Sequence, residues 1–129
     1  MTFEIWMVLA SVVVLFVHIG VQSISFTSQT GRDYNAGPRD ENLQPTGVAG
    51  RARRAFDNFL ETYPAFIALA LAAVVSGGSD GLTQWGAGLY IAARLAYIPL
   101  YLIGIVYVRS LAWAVAMLGL VLVGVGIVV

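Results

Sequence analysis

Arg51-Ala52-Arg53-Arg54-Ala55-Phe56-Asp57-Asn58-Phe59-Leu60-Glu61-Thr62-Tyr63-Pro64 runs without interruption into an apolar stretch that ends near Ser76. Arg51, Arg54, Asn58 and Glu61 are spaced 3, 4 and 3 apart, so a helix sets all four on one face. That face continues as Ala65, Ala68 and Ala72, side chains small enough for another helix to come close. At roughly 1.5 Å per residue, Glu61 lies about 10 Å beyond Arg54 along the axis, inside the apolar part. Ionisable groups at such depth are costly and face a protein interior or a ligand cavity rather than lipid. The stripe predicts a site for a zwitterionic or anionic molecule, built into a membrane helix.

The rest of the chain agrees with a membrane setting. Its 129 residues make one domain, 59% hydrophobic and 11% charged, with a mean hydropathy of +0.82, too apolar for a soluble domain of this size. An integral, multi-pass membrane protein is expected. The seven basic residues are all Arg and are balanced by seven acidic ones, so charge offers no argument for a nucleic-acid partner. The absence of Cys excludes disulfides, thiolate metal ligands and a cysteine nucleophile. His18 is the only His, too little for a zinc site, and no metal is expected.

Four segments are long enough to cross a hydrocarbon core, about 3–24, 50–76, 82–106 and 110–129. The fold class is all-α: a bundle of four transmembrane helices. The first segment is read as a retained helix rather than a signal peptide, because it is long and begins with Glu4 and no basic residue. Ser76-Gly77-Gly78-Ser79-Asp80-Gly81 makes a turn, and Arg109-Ser110 is the expected second reversal. Pro64 and Pro99 fall inside spans, where membrane helices tolerate them. Gly119, Gly124 and Gly126 suit close helix packing. Arg32, Arg39, Arg51, Arg53 and Arg54 flank the first long loop, Ser25 to Val48, and Arg109 lies at the same end. The positive-inside bias turns that loop to the cytoplasm and both termini outward.

Several residues have a plain structural reading. Arg94 sits mid-span and needs a carboxylate, for which Glu61 is the expected partner. Arg53 points off the stripe and reads as an interfacial anchor, as does Arg109 on position alone. Tyr107, Trp6, Trp85 and Trp113 lie near span ends and fit an aromatic belt. His18 and Gln22 share a face of the first helix, where a helix–helix hydrogen bond explains them. Tyr97 and Tyr101 follow Arg94 at i+3 and i+7, which makes their phenols candidate donors to the cavity of the Arg stripe.

Arg-x-Arg-Arg-Ala-x-x-Asn-x-x-Glu from Arg51 to Glu61, with Pro64 soon after, resembles the second-helix signature of the membrane-associated proteins in eicosanoid and glutathione metabolism (MAPEG). Microsomal glutathione transferases carry nearly this string. Ala93-Arg94-Leu95-Ala96-Tyr97-Ile98-Pro99-Leu100-Tyr101 resembles that family's third helix, and Asn35-Ala36-Gly37-Pro38-Arg39-Asp40-Glu41 looks like its bacterial members. The resemblance implies a homotrimer in a bacterial inner membrane, with glutathione as cosubstrate. It implies that Arg51, Arg54, Asn58, Glu61, Tyr97 and Tyr101 bind glutathione and that Arg109, at the start of the fourth helix, stabilises its thiolate as the catalytic residue. The implied activity is glutathione transfer to, or glutathione-dependent reduction of, lipophilic electrophiles, a detoxification chemistry. Thr62 stands where leukotriene-synthase-like members have a ligand-binding Tyr, and Phe56 where they have a polar His or Gln. Two rival expectations are a non-catalytic member that binds lipid or glutathione, and a small proton-coupled transporter using Glu61. The Arg cluster at the mouth opposes the second, because it attracts anions.

Overall fold

The computed structural model describes residues 1–129 as five helices and no strand: α1 (Phe3–Thr30), α2 (Arg32–Ala36), α3 (Gly47–Val75), α4 (Gly81–Ile103) and α5 (Val106–Val128). Four of them, all but α2, are long and apolar enough to cross a membrane. At about 1.5 Å per residue even the 23-residue α4 and α5 reach roughly 35 Å. α4 touches each of the other three spans, and α1 and α5 do not meet, so they occupy opposite corners of the bundle.

Each reversal has a local cause. Asp80 caps α4 with a reciprocal box, its carboxylate accepting from the Thr83 N–H while the Thr83 hydroxyl accepts from the Asp80 N–H. Gly104 ends α4 in the left-handed region at φ 87°, its N–H donating to the Leu100 and Tyr101 carbonyls. The second reversal is therefore at Gly104–Ile105, earlier than the expected Arg109-Ser110. Only glycine takes that conformation cheaply, so the chain turns there and Arg109 enters the first turn of α5.

α1 also runs six residues past its expected end at 24. Ser25 and Thr30 turn their hydroxyls back to the Val21 and Phe26 carbonyls, which satisfies them within the helix and carries it beyond the apolar window. The connection after α1 is thus shorter than Ser25 to Val48 and is partly helical. It is pinned by the Gln29–Thr46 side-chain pair and by the Tyr34 hydroxyl, which accepts from the Leu43 N–H at 2.7 Å.

The core is narrow. Phe66 stacks on Tyr90 at 4.4 Å between centroids, backed by Ala70, Ala73, Ala87 and Val123. α4 and α5 form the most extensively packed pair, and their backbones touch. A Cβ on Gly86 would stand 2.6 Å from the Gly119 carbonyl oxygen, and one on Gly119 would stand 2.7 Å from that of Gly86. Gly126 repeats the approach against Thr83, whereas Gly124 meets only a Leu69 methyl at 3.9 Å. Large apolar side chains such as Val13, Phe16, Leu111 and Val121 point outward. In a membrane protein that outward face belongs to lipid or to neighbouring subunits.

Candidate functional site

α3, α4 and α5 diverge around a cleft of about 460 Å³, a size suited to a small-molecule ligand. α3 contributes Arg54, Asp57, Asn58 and Glu61; α4 contributes Tyr97 and Tyr101; α5 contributes Arg109, Ser110 and Trp113. The α3 residues are brought together by the 3.6-residue period: Arg54, Asn58 and Glu61 fall on one stripe and Asp57 borders it. The α4 tyrosines meet across one turn, with ring centroids 5.5 Å apart.

Tyr101 joins the two cationic walls. Its hydroxyl accepts from Arg54 Nε at 3.3 Å, and the Arg109 guanidinium lies 4.4 Å from its ring centroid. The only ion pair in the chain, Arg53 with Asp57 at 3.2 Å, lies on the exposed face of α3. Asp57 is thereby partly neutralised, while Glu61 has no cationic partner within the chain. The cleft presents two guanidinium groups and one free carboxylate, a charge pattern complementary to a zwitterion that carries more than one anionic group.

Six of the seven sequence-predicted site residues converge here: Arg54, Asn58, Glu61, Tyr97, Tyr101 and Arg109. Arg51 does not. Its Nε donates to the Leu102 carbonyl at 2.8 Å, capping the end of α4 and tying α3 to the α4–α5 turn. Three lining residues were not singled out as ligands from sequence: Asp57, Ser110 and Trp113. Asp57 is three residues after Arg54, and Trp113 is one turn beyond Arg109, so the same helical arithmetic points to both. The Ser110 hydroxyl is turned back to the Val106 carbonyl at 3.0 Å.

The expected pairing of Arg94 with Glu61 is absent. Arg94 Nη1 instead donates to Asn58 Oδ1 at 2.9 Å, and its guanidinium lies over the Tyr97 and Phe59 rings at 4.5 and 5.5 Å from their centroids. Asn58 and Tyr97 are thus the wall between Arg94 and the cleft. Phe56 and Thr62 likewise serve the interior rather than the cleft. Phe56 stacks on His18 at 5.8 Å, and the Thr62 hydroxyl is 2.9 Å from that of Tyr90. His18 makes no helix–helix hydrogen bond through Nε2; it is buried in a stack with Phe56 and Phe59, the latter at 4.8 Å.

The chain belongs to the MAPEG family, whose model matches residues 3–129, essentially the whole sequence. Among curated proteins and solved structures, no match is significant.

Proposed function

We propose that this MAPEG-family membrane protein binds glutathione in the α3–α4–α5 cleft and uses its thiolate against lipophilic electrophiles. One observation carries the reading: two guanidinium groups and an unpaired carboxylate converge there beside two phenols. Glutathione has two carboxylates, one ammonium and a thiol. Arg54 takes a carboxylate as a fork, Glu61 holds the ammonium, and Tyr97 and Tyr101 donate to the peptide. Arg51 supports the site from outside by fixing the end of α4.

Arg109 is the group assigned to the sulfur. A free thiol has a pKa of about 8.5 and is mostly protonated at neutral pH. Lowering it by roughly two units takes about 2.7 kcal/mol of preferential stabilisation of the anion, within reach of one partly desolvated guanidinium. The thiolate then attacks an electrophilic carbon, forming the C–S bond as the leaving group departs or a proton is added. Trp113, on the same wall one turn from Arg109, gives an apolar acceptor a surface on the lipid side of the cleft.

The assembly consistent with this reading is a homotrimer. Its stoichiometry rests on the family resemblance, and its physical motive is the exposed stripe of Ala65, Ala68 and Ala72 beside Glu61. The proposed setting is a bacterial inner membrane, with the α1–α3 connection in the cytoplasm. Native mass spectrometry in mild detergent should find trimers, and monomers alone would contradict the assembly. A Cys introduced at Gly37 should be labelled only after the cytoplasmic side is opened.

The test of function is ultraviolet difference absorbance of the purified protein with glutathione, with S-hexylglutathione as control. A thiolate band with glutathione alone, together with conjugation of a model electrophile, is expected. Binding without the band would leave a non-catalytic glutathione binder. No binding of either ligand would overturn the proposal.

A further inference from the structure

Arg94 is completely buried, yet no carboxylate lies within salt-bridge distance of it. Only its Nη1 is hydrogen-bonded, to Asn58 Oδ1, while Nε and Nη2 have no partner. An isolated buried cation is costly, and an apolar residue would hold a bundle at least as well. The charge therefore calls for a use. A guanidinium has donors and no acceptor, so the Asn58 atom facing it has to be the carbonyl oxygen. A half-turn of the amide would set N–H against N–H. The Asn58 NH2 group makes no hydrogen bond within the chain, and Asn58 lines the cleft.

We propose that Arg94 is a positioning residue: by holding Asn58 Oδ1 from behind the wall, it presents the Asn58 NH2 to the cleft as a fixed donor. The site then reads a carbonyl or carboxylate oxygen of its ligand at that point and rejects a donor there. The Tyr97 and Phe59 rings on the guanidinium keep it from swinging to another acceptor. With no direct ion pair, the guanidinium also polarises the amide it holds, which strengthens the outward donor. This assignment rests on the glutathione reading and names a carbonyl or carboxylate oxygen of the tripeptide as the group recognised.

The test is a double-mutant cycle in the full-length protein, read as the Kd for S-hexylglutathione. Arg94→Met and Asn58→Ala should each weaken binding about tenfold, and the double variant should bind no more weakly than the worse single one. A structural role for Arg94 would instead persist in the Asn58→Ala background, and multiplying losses would overturn the inference. Asn58→Asp keeps an acceptor on Arg94, so it should unfold no earlier than wild type while binding at least about tenfold more weakly, since the donor is gone. If Arg94→Met does not fold, that variant decides alone, and wild-type affinity in Asn58→Asp would overturn the inference. Wild-type protein that fails to bind S-hexylglutathione rejects the proposed function and this inference with it. Wild-type binding with multiplying losses rejects the inference only.

Discussion

Glu4 and Arg94 are both completely withdrawn from the surface, and the molecule treats them in opposite ways. Glu4 sits in the first turn of α1, where the helix dipole favours a negative charge. Its carboxylate accepts from the Ser79 hydroxyl at 2.9 Å to each oxygen, and from the Thr83 hydroxyl. Those donors belong to the α3–α4 turn and the first turn of α4, so one acid ties three helices at the end of the bundle away from the Arg-rich loop. Arg94 keeps two nitrogens without partners and reaches a residue of the cleft wall. Glu4 is satisfied within the fold; Arg94 is left partly open and turned to the cleft wall. The same contrast separates Asp57, which has Arg53, from Glu61, which has no cation of its own.

The largest expected effect is at the satisfied end. Glu4→Ala removes the carboxylate that accepts from the Ser79 and Thr83 hydroxyls and should cost about 2–4 kcal/mol in unfolding measured in detergent, while the folded fraction still binds S-hexylglutathione within about threefold of wild type. A Glu4 variant that loses ligand before it loses stability would erase the contrast. Arg109→Ala should cost roughly 2.7 kcal/mol of thiolate stabilisation, read as about a hundredfold loss of turnover at neutral pH and of the thiolate band, with S-hexylglutathione binding nearly intact. If band and turnover survive, Arg109 is an interfacial anchor and a phenol must activate the thiol.

Glu61→Gln sharpens the contrast further. Because Arg94 rests on Asn58 and not on Glu61, the variant should keep its unfolding temperature while its affinity for glutathione falls by about 1.5–3 kcal/mol by titration calorimetry. Early unfolding would mean that the two charges communicate. Tyr101→Phe removes the acceptor of Arg54 Nε and the phenol donor assigned to the peptide, and should weaken glutathione by about 1 kcal/mol in the same calorimeter.

Four spans were legible because hydropathy and length are properties of a segment by itself, and the Arg54/Asn58/Glu61 face because helical periodicity is as well. Which faces meet was not. Glu61 and Arg94 make a plausible pair by depth, but the rotation and register of α4 come from the Phe66–Tyr90 stack and the Gly86–Gly119 crossing, and these set Asn58 against Arg94. The contact made by Arg51 was hidden for a related reason. Its partner is a backbone carbonyl, and every residue carries one, so no side-chain pattern announces it. Gly104 could have been read as the end of α4 from its residue type, had the apolar Ile105-Val106 after it not suggested continuation.

With backbones touching at Gly86 and Gly119, and Gly126 lodged against Thr83, α4 and α5 lack the side-chain cushion that would let them slide past one another. They form a single stiff lever, and Tyr97, Tyr101 and Arg109 all ride on it. Arg54, Asp57 and Glu61 ride on α3, whose contact with α4 is less extensive. The mouth of the cleft then has one natural coordinate, the tilt of that lever against α3. The Arg51 clasp on Leu102 sits at the lever's end, and loosening it would widen the gap between the two riders without disturbing either set.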